Sequence, residues 1–337
     1  MKGPVKRHLS EDALLLVSSR FILIPAHQIN SGGLMQDGAK DISDKCHIYL
    51  ICRKPSLYYD PKYFFFDKNS GSVAGRIAYR KNGIENSVPF LGRIELVDGA
   101  VDVKLDGYPH REFKTIDCNG NSTRSFPALL VVMENKLHLN NRDLSCLDVM
   151  YIGQAFGQGD RSALDRLKSH STFQKILADA QYGYPDDEVI LLGFEYEEIR
   201  VIMHLDGINP AKHREDGGRF FNIRNNPPTE QQVVSLVEAG LIRYFQPEYN
   251  KIYKNNFPDN TYKILEACYK LDFSGLVVEI DTTELSLTLG SGVVEESDHH
   301  VCKYDLVSHE NRWSFFHFRA RDGSVQSFPG VVSEKHG

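Results

Sequence analysis

Five kinds of side chain in the middle of this sequence could together handle a phosphate. Tyr151 stands in the run Asp148-Val149-Met150-Tyr151-Ile152-Gly153, and Arg166 and His170 follow it four residues apart. Residues at that spacing project from one face of a helix, one turn above the other. A planar, permanently charged donor fork beside a titratable imidazole suits phosphodiester chemistry. Further on, Glu238 has Val234, Leu241 and Ile242 as its i−4, i+3 and i+4 neighbours, which sets a carboxylate within an apolar stripe. An unpaired charge there is costly. A cation or a donor network must offset that cost, or the carboxylate lies at the stripe's edge and reaches water. Magnesium commonly takes only one or two protein carboxylates and completes its shell with water and phosphate oxygens. Asn250, in Pro247-Glu248-Tyr249-Asn250, is the fifth candidate.

The elements that must carry these groups are legible in outline. Val149 to Ile152 reads as a strand ended by Gly153, and Gly157-Gln158-Gly159-Asp160 supplies a turn in which Asp160 can cap a helix. That helix is expected over 161–180. Strands are expected at Ala128 to Met133 and at Val189 to Phe194. Residues 206–228 are polar and rich in Gly, Pro and Asn, so they read as a long loop in which His213, Arg214, Arg219 and Arg224 either meet phosphates or are simply solvated. Thr229 with Gln232 matches a capping box for the helix bearing Glu238. Gly240 weakens that helix and hints at a close backbone approach.

Tyr151-Ile152-Gly153 followed by Arg-x-x-x-His resembles the second half of the GIY-YIG nuclease signature. The later pair Glu238…Leu241-Ile242 and Pro247-x-x-Asn250 is similar to the family's helical glutamate and its Pro-x-x-Asn step. The resemblance covers roughly residues 126–262. It implies a metal-dependent endonuclease, with Mg²⁺ or Mn²⁺ held by Glu238 and charge on the reacting phosphate met by Arg166. Tyr151 and His170 would position or deprotonate the attacking water, and Asn250 would fix the cleft. Arg161, Lys168, Lys251 and Lys254 are the basic residues expected to contact the nucleic acid backbone. The family's first tripeptide, Gly-Ile-Tyr, has no literal match upstream of Tyr151, and His138 lies near the expected distance as a substitute base. The implied partner is DNA, with RNA and homo-oligomers left open, and restriction or phage defence is the role such stand-alone chains suggest. A catalytically decayed nucleic-acid-binding protein and a structural interaction module are the competing readings.

The fold class expected is α+β: a GIY-YIG-like α/β sandwich with a small central sheet at 126–262, flanked by β-rich regions at 1–125 and 263–337. In the first flank, Asn82-Gly83 closes a hairpin, and Arg93 to Val97 with Ala100 to Leu105 reads as another across Asp98-Gly99. The aromatic and basic residues of this meander, Tyr58, Tyr59, Lys62, Tyr63, Arg76 and Tyr79 among them, form either a nucleic-acid surface or core aromatics beside solvated charges. In the second flank, strands are expected at Leu276 to Ile280, Leu285 to Leu289 and Trp313 to Phe318, completing a sheet begun by the N-terminal meander. A formal net charge of −6 over 337 residues argues against a whole-surface nucleic-acid binder, so any DNA contact must rely on a local basic patch. The six cysteines lack a CxxC pair, so a zinc site or disulfide framework is not indicated, and a reducing cytoplasm fits. The apolar runs near the N-terminus are too short and interrupted to span a bilayer, so no membrane partner is expected.

Overall fold

The computed structural model describes residues 8, 10–29, 37–134, 136–137, 141–155, 171–204, 216–307, 312–320 and 322–333. The chain begins with β1 (Glu11–Val17), β2 (Arg20–Pro25), α1 (Asp37–Lys45) and β3 (Ile48–Pro55). Next come β4 (Leu57–Tyr59), β5 (Phe65–Asp67), β6 (Ser72–Lys81), β7 (Ile84–Arg93), β8 (Ala100–Leu105), β9 (Glu112–Asp117), β10 (Ser122–Pro127) and α2 (Ala128–Glu134). The middle holds β11 (Cys146–Gln154), α3 (Ser171–Gly183), β12 (Asp187–Glu195), β13 (Glu198–His204), α4 (Asp216–Asn225) and α5 (Glu230–Phe245). After α6 (Glu266–Lys270) follow β14 (Gly275–Asp281), β15 (Thr288–Gly290), β16 (His299–Asp305), β17 (His317–Arg319), β18 (Val325–Ser327) and β19 (Val331–Val332).

The fold is a mixed α+β architecture built around α5. One five-stranded sheet runs β15-β11-β3-β12-β2, and a second runs β13-β1-β14-β16-β19. The helix lies between them because its sequence is apolar nearly all round. Val233, Val234, Leu236, Val237, Leu241, Ile242 and Phe245 are all buried, in one core with residues of both sheets. Thr229 and Gln232 close the expected capping box. At the other end Gln246 turns left-handed, with φ of 48°, and Pro247 cannot extend the helix. At Gly240 the second sheet packs close: a Cβ there would lie 3.0 Å from Val278, and the Tyr304 hydroxyl donates to the Gly240 carbonyl at 2.6 Å. The other face of the first sheet carries Tyr49, Ile51, Val189 and Leu191, covered by Phe173 and Ile176 of α3.

The first sheet takes strands from both sides of residue 125. Its β3 pairs antiparallel with both β11 and β12, and the long excursion between β3 and β11 has a core of its own made of Tyr59, Val73, Ile77, Phe90, Phe113 and Val132 among others. Several local expectations are corrected. Ala128 to Met133 is not a strand but lies within α2, whose buried residues Ala128, Val131 and Val132 follow helical spacing and fill the excursion's core. The strands that pair with β11 are β3 and β15. The hairpin at Asn82-Gly83 forms, both residues having positive φ. That at Asp98-Gly99 does not, because β7 ends at Arg93 and β8 pairs with β9.

Within 206–228, residues 216–225 form α4 rather than loop. Arg219 is consumed structurally, donating to the carbonyls of Ser10 and Asp272 and pairing with Asp12. The run from Leu285 to Leu289 is split between a 3-10 turn and the short β15, and Trp313 to Phe316 precedes rather than forms β17. Of the C-terminal strands, β14, β16 and β19 join the sheet of β1, β15 joins β11, and β17 pairs with β18, so none completes the meander. Among the described residues no helix is long and apolar enough to cross a membrane.

Candidate active site at the free end of β11

Strand β11 delivers Tyr151, Ile152, Gly153 and Gln154 to one end of the first sheet. A register shift between Val149 and Tyr151 leaves Met150 as an extra residue on β11. Past it, Ile152 faces the core shared with α5, whereas Tyr151 packs with Tyr49 and Ile51 on the α3 side. On the neighbouring strand Ile51 pairs with Tyr151, and His47-Ile48-Tyr49 at its start runs alongside Gly153 to Ala155, with Tyr49 directly opposite Gly153. The two tyrosine rings lie 6.1 Å apart, centroid to centroid. Gly153 has a steric reason for being glycine: a Cβ would sit 2.5 Å from the Tyr49 ring and hydroxyl and 2.9 Å from the Tyr151 ring. The glycine makes room for a pair of phenols.

β15 pairs with β11 only along Cys146–Asp148, so β11 would have an open edge beyond that point. Asn250 closes it. Its amide nitrogen donates to the Ile152 carbonyl at 2.8 Å and its carbonyl accepts from the Ile152 N–H at 2.9 Å, a side chain standing in for a strand. Tyr249 adds an N–H to the Met150 carbonyl and donates its hydroxyl to Asp179 on α3. The Pro247–Asn250 turn thereby ties α3 to the sheet edge.

Glu238, one and two turns of helix before Ile242 and Phe245, reaches the same strand end. The Gln154 amide nitrogen donates to its carboxylate at 2.9 Å, and the Ser235 hydroxyl reaches the Gln154 carbonyl oxygen at 3.5 Å. Burial pushes the Glu238 carboxyl up to about 7, because the hydrogen bonds from Gln154 offset only part of the lost solvation. Burial and then the neighbouring Glu238 charge raise the Tyr151 phenol, a contact with Tyr49 acting the other way. Tyr253 is raised for the same two leading reasons. His47 lies 3.0 Å from Glu230 in the first turn of α5.

Three of the five expected catalytic residues, Tyr151, Glu238 and Asn250, thus gather at one end of β11. Arg166 and His170 fall outside the described residues, as do Arg161, Lys168 and the suggested substitute base His138. Lys251 is exposed, while Lys254 is half-buried with its carbonyl accepting from Arg243. Sequence reasoning missed Tyr49 and Gln154. The signal for Tyr49 was the tripeptide His47-Ile48-Tyr49, hidden because roughly a hundred residues separate two strands that are neighbours in space. Glu238 offers a single carboxylate of the kind a hard divalent cation can take, while Gln154 turns its amide NH2 toward that carboxylate and its side-chain oxygen toward Ser235. The one group of three potential ligands among the described residues lies elsewhere, on β14 and β16, where Glu279, Asp281 and His299 bring donor atoms within 4.8 Å of one another. No family model, curated protein or solved structure matches this chain.

Proposed function

We propose that the chain is a metal-dependent endonuclease of the GIY-YIG type, acting on DNA. One observation carries this reading. Two neighbouring antiparallel strands bring the ends of His47-Ile48-Tyr49 and Tyr151-Ile152-Gly153 together, Tyr49 opposite Gly153 with its ring 6.1 Å from that of Tyr151, and a helical carboxylate, Glu238, stands at the same end. His47-Ile48-Tyr49 would be the counterpart of the missing Gly-Ile-Tyr and would replace His138 in that role. The difference in its first letter is tolerable because His47 sits just before the strand, where its side chain leans to Glu230.

The roles follow from the surroundings. Glu238 would hold Mg²⁺ or Mn²⁺, with Gln154 fixing the orientation of its carboxylate. When bound, the ion would polarise a phosphate oxygen and stabilise the leaving alkoxide. Tyr151 stays protonated at neutral pH under burial and the Glu238 charge, so in that state it donates a hydrogen bond and orients water rather than removing its proton. Neutralising Glu238 relieves part of that penalty. Asn250 holds the strand that carries Tyr151 in register. Arg166 and His170 keep the roles the resemblance gives them, charge stabilisation and proton acceptance. The test is incubation of supercoiled plasmid with Mg²⁺ or Mn²⁺. Nicked or linear product with wild type, abolished by EDTA and by Glu238→Gln, is the expected result. Unchanged plasmid under both metals, or full cleavage by Glu238→Gln, would overturn the proposal.

A further inference from the structure

Strands β4, β5, β6 and β7 form a small sheet whose two faces differ sharply in what they do. The inner face, with Phe64, Phe66, Val73, Ile77, Tyr79 and Phe90, packs the excursion's core. The outer face carries Phe65, 62% exposed, and Leu91, 71% exposed, on either side of Ala74, the three forming one cross-strand row. Beside that row stands Tyr63, 50% exposed, with the Arg76 guanidinium 5.8 Å and the Lys62 ammonium 5.4 Å from its ring. Arg76 is held in place by the Ser87 hydroxyl and carbonyl. Pro89 lies opposite Arg76, and Arg93 opposite Ser72. A soluble protein does not ordinarily leave two aromatic rings and a leucine in one exposed patch without a use for them.

We infer that this face is a stacking platform for single-stranded nucleic acid. Unpaired bases would lie on the Tyr63 and Phe65 rings, with Lys62, Arg76 and Arg93 along the phosphates. Charge selects this occupant. Around the rings Lys62, Lys68, Arg76 and Arg93 stand against Asp60, Asp67 and Glu95, and two of these carboxylates are engaged in their own turns, Asp60 by the Lys62 N–H and Asp67 by Asn69 and Ser70; farther along, Arg80 is matched by Glu85. A net positive aromatic surface on a chain of net charge −6 is the local basic patch that nucleic-acid binding requires. Exposed rings beside cations provide both halves of such recognition: stacking, which every base accepts, and phosphate neutralisation. The nearby Tyr59 and Tyr79 take no part, being buried in the core. The inference extends the nucleic-acid reading of the chain without depending on cleavage.

Fluorescence anisotropy with 5′-labelled oligothymidine and oligouridine of about 20 nucleotides, in EDTA, tests it. Wild type and Glu238→Gln are expected to bind equally, and affinity should fall as salt rises from about 50 to about 200 mM. Combining Tyr63→Ala with Phe65→Ala should weaken binding by roughly tenfold per ring, with thermal melts unchanged because both side chains are exposed. Tyr63→Trp should keep affinity and show fluorescence quenched by the oligonucleotide, a signal the buried native Trp313 would not give. Absence of binding by wild type, equal binding by the double alanine variant, or an unquenched Tyr63→Trp would each overturn the platform. Loss of cleavage in Glu238→Gln with binding intact bears on the catalytic site alone.

Discussion

Glu238 is a carboxylate whose proton is set by burial, and that makes it measurable. Its folded pKa of about 7 lies above that of an unfolded glutamate, so the folded protein binds the proton more tightly. The stabilisation is complete below about pH 4.5 and is lost as pH rises to about 7. Glu238→Gln abolishes this dependence. Above about pH 7 the variant should be more stable than wild type by on the order of 2–3 kcal/mol, with little difference at low pH, as denaturant melts across pH would show. Mg²⁺ reverses the ordering: it should raise the Tm of wild type above about pH 7 and leave Glu238→Gln unmoved, and EDTA should remove the difference. At Gly153, Gly153→Ala drives a methyl into the Tyr49 ring. The expected cost is about 1–3 kcal/mol, with cleavage lost beyond what the fall in Tm explains.

Two elements are held by contacts that strand and helix propensity do not supply. The edge of β11 depends on one side-chain amide, so Asn250→Ala orphans both the N–H and the carbonyl of Ile152 in a buried setting. A loss of about 2–4 kcal/mol is expected from chemical denaturation, together with faster hydrogen exchange at Ile152 than in β3. Helix α5 depends on Gly240 for its approach to the second sheet. Gly240→Val improves the side-chain burial available to the helix on paper, yet the added carbons meet Val278 and Tyr304. We expect destabilisation of about 1–3 kcal/mol by thermal melting. Gly240 was legible beforehand as a point of close approach, since a glycine inside an otherwise strong helix pattern needs a packing reason; the partner was not.

On the scale of the whole molecule, the excursion over 57–144 leaves the first sheet at Pro55 and returns at Cys146, with Arg53 and Asp148 directly paired across the gap. Excising 57–144 and joining β3 to β11 by a short glycine-containing turn should therefore leave a cooperatively folding protein that keeps the Mg²⁺-dependent shift in Tm. The shortened chain should lose most binding to single strands. A shortened chain without a cooperative transition would show instead that the excursion's core is part of one folding unit.

The sequence determined what local chemistry can determine. Thr229 and Gln232 announced the start of α5, Asn82-Gly83 the β6–β7 hairpin, and the apolar neighbours of Glu238 a carboxylate that needs a partner or a route to water, because capping, turn φ and helical periodicity are short-range. It misassigned Ala128 to Met133, since an apolar run of that length suits either a buried strand or a helix and only the core it fills decides. The tertiary structure alone decided that Tyr49 faces Tyr151 and that Gln154 meets Glu238. Strand pairing is set by the complementarity of distant apolar faces, here across an excursion with its own core, and no spacing along the chain encodes it.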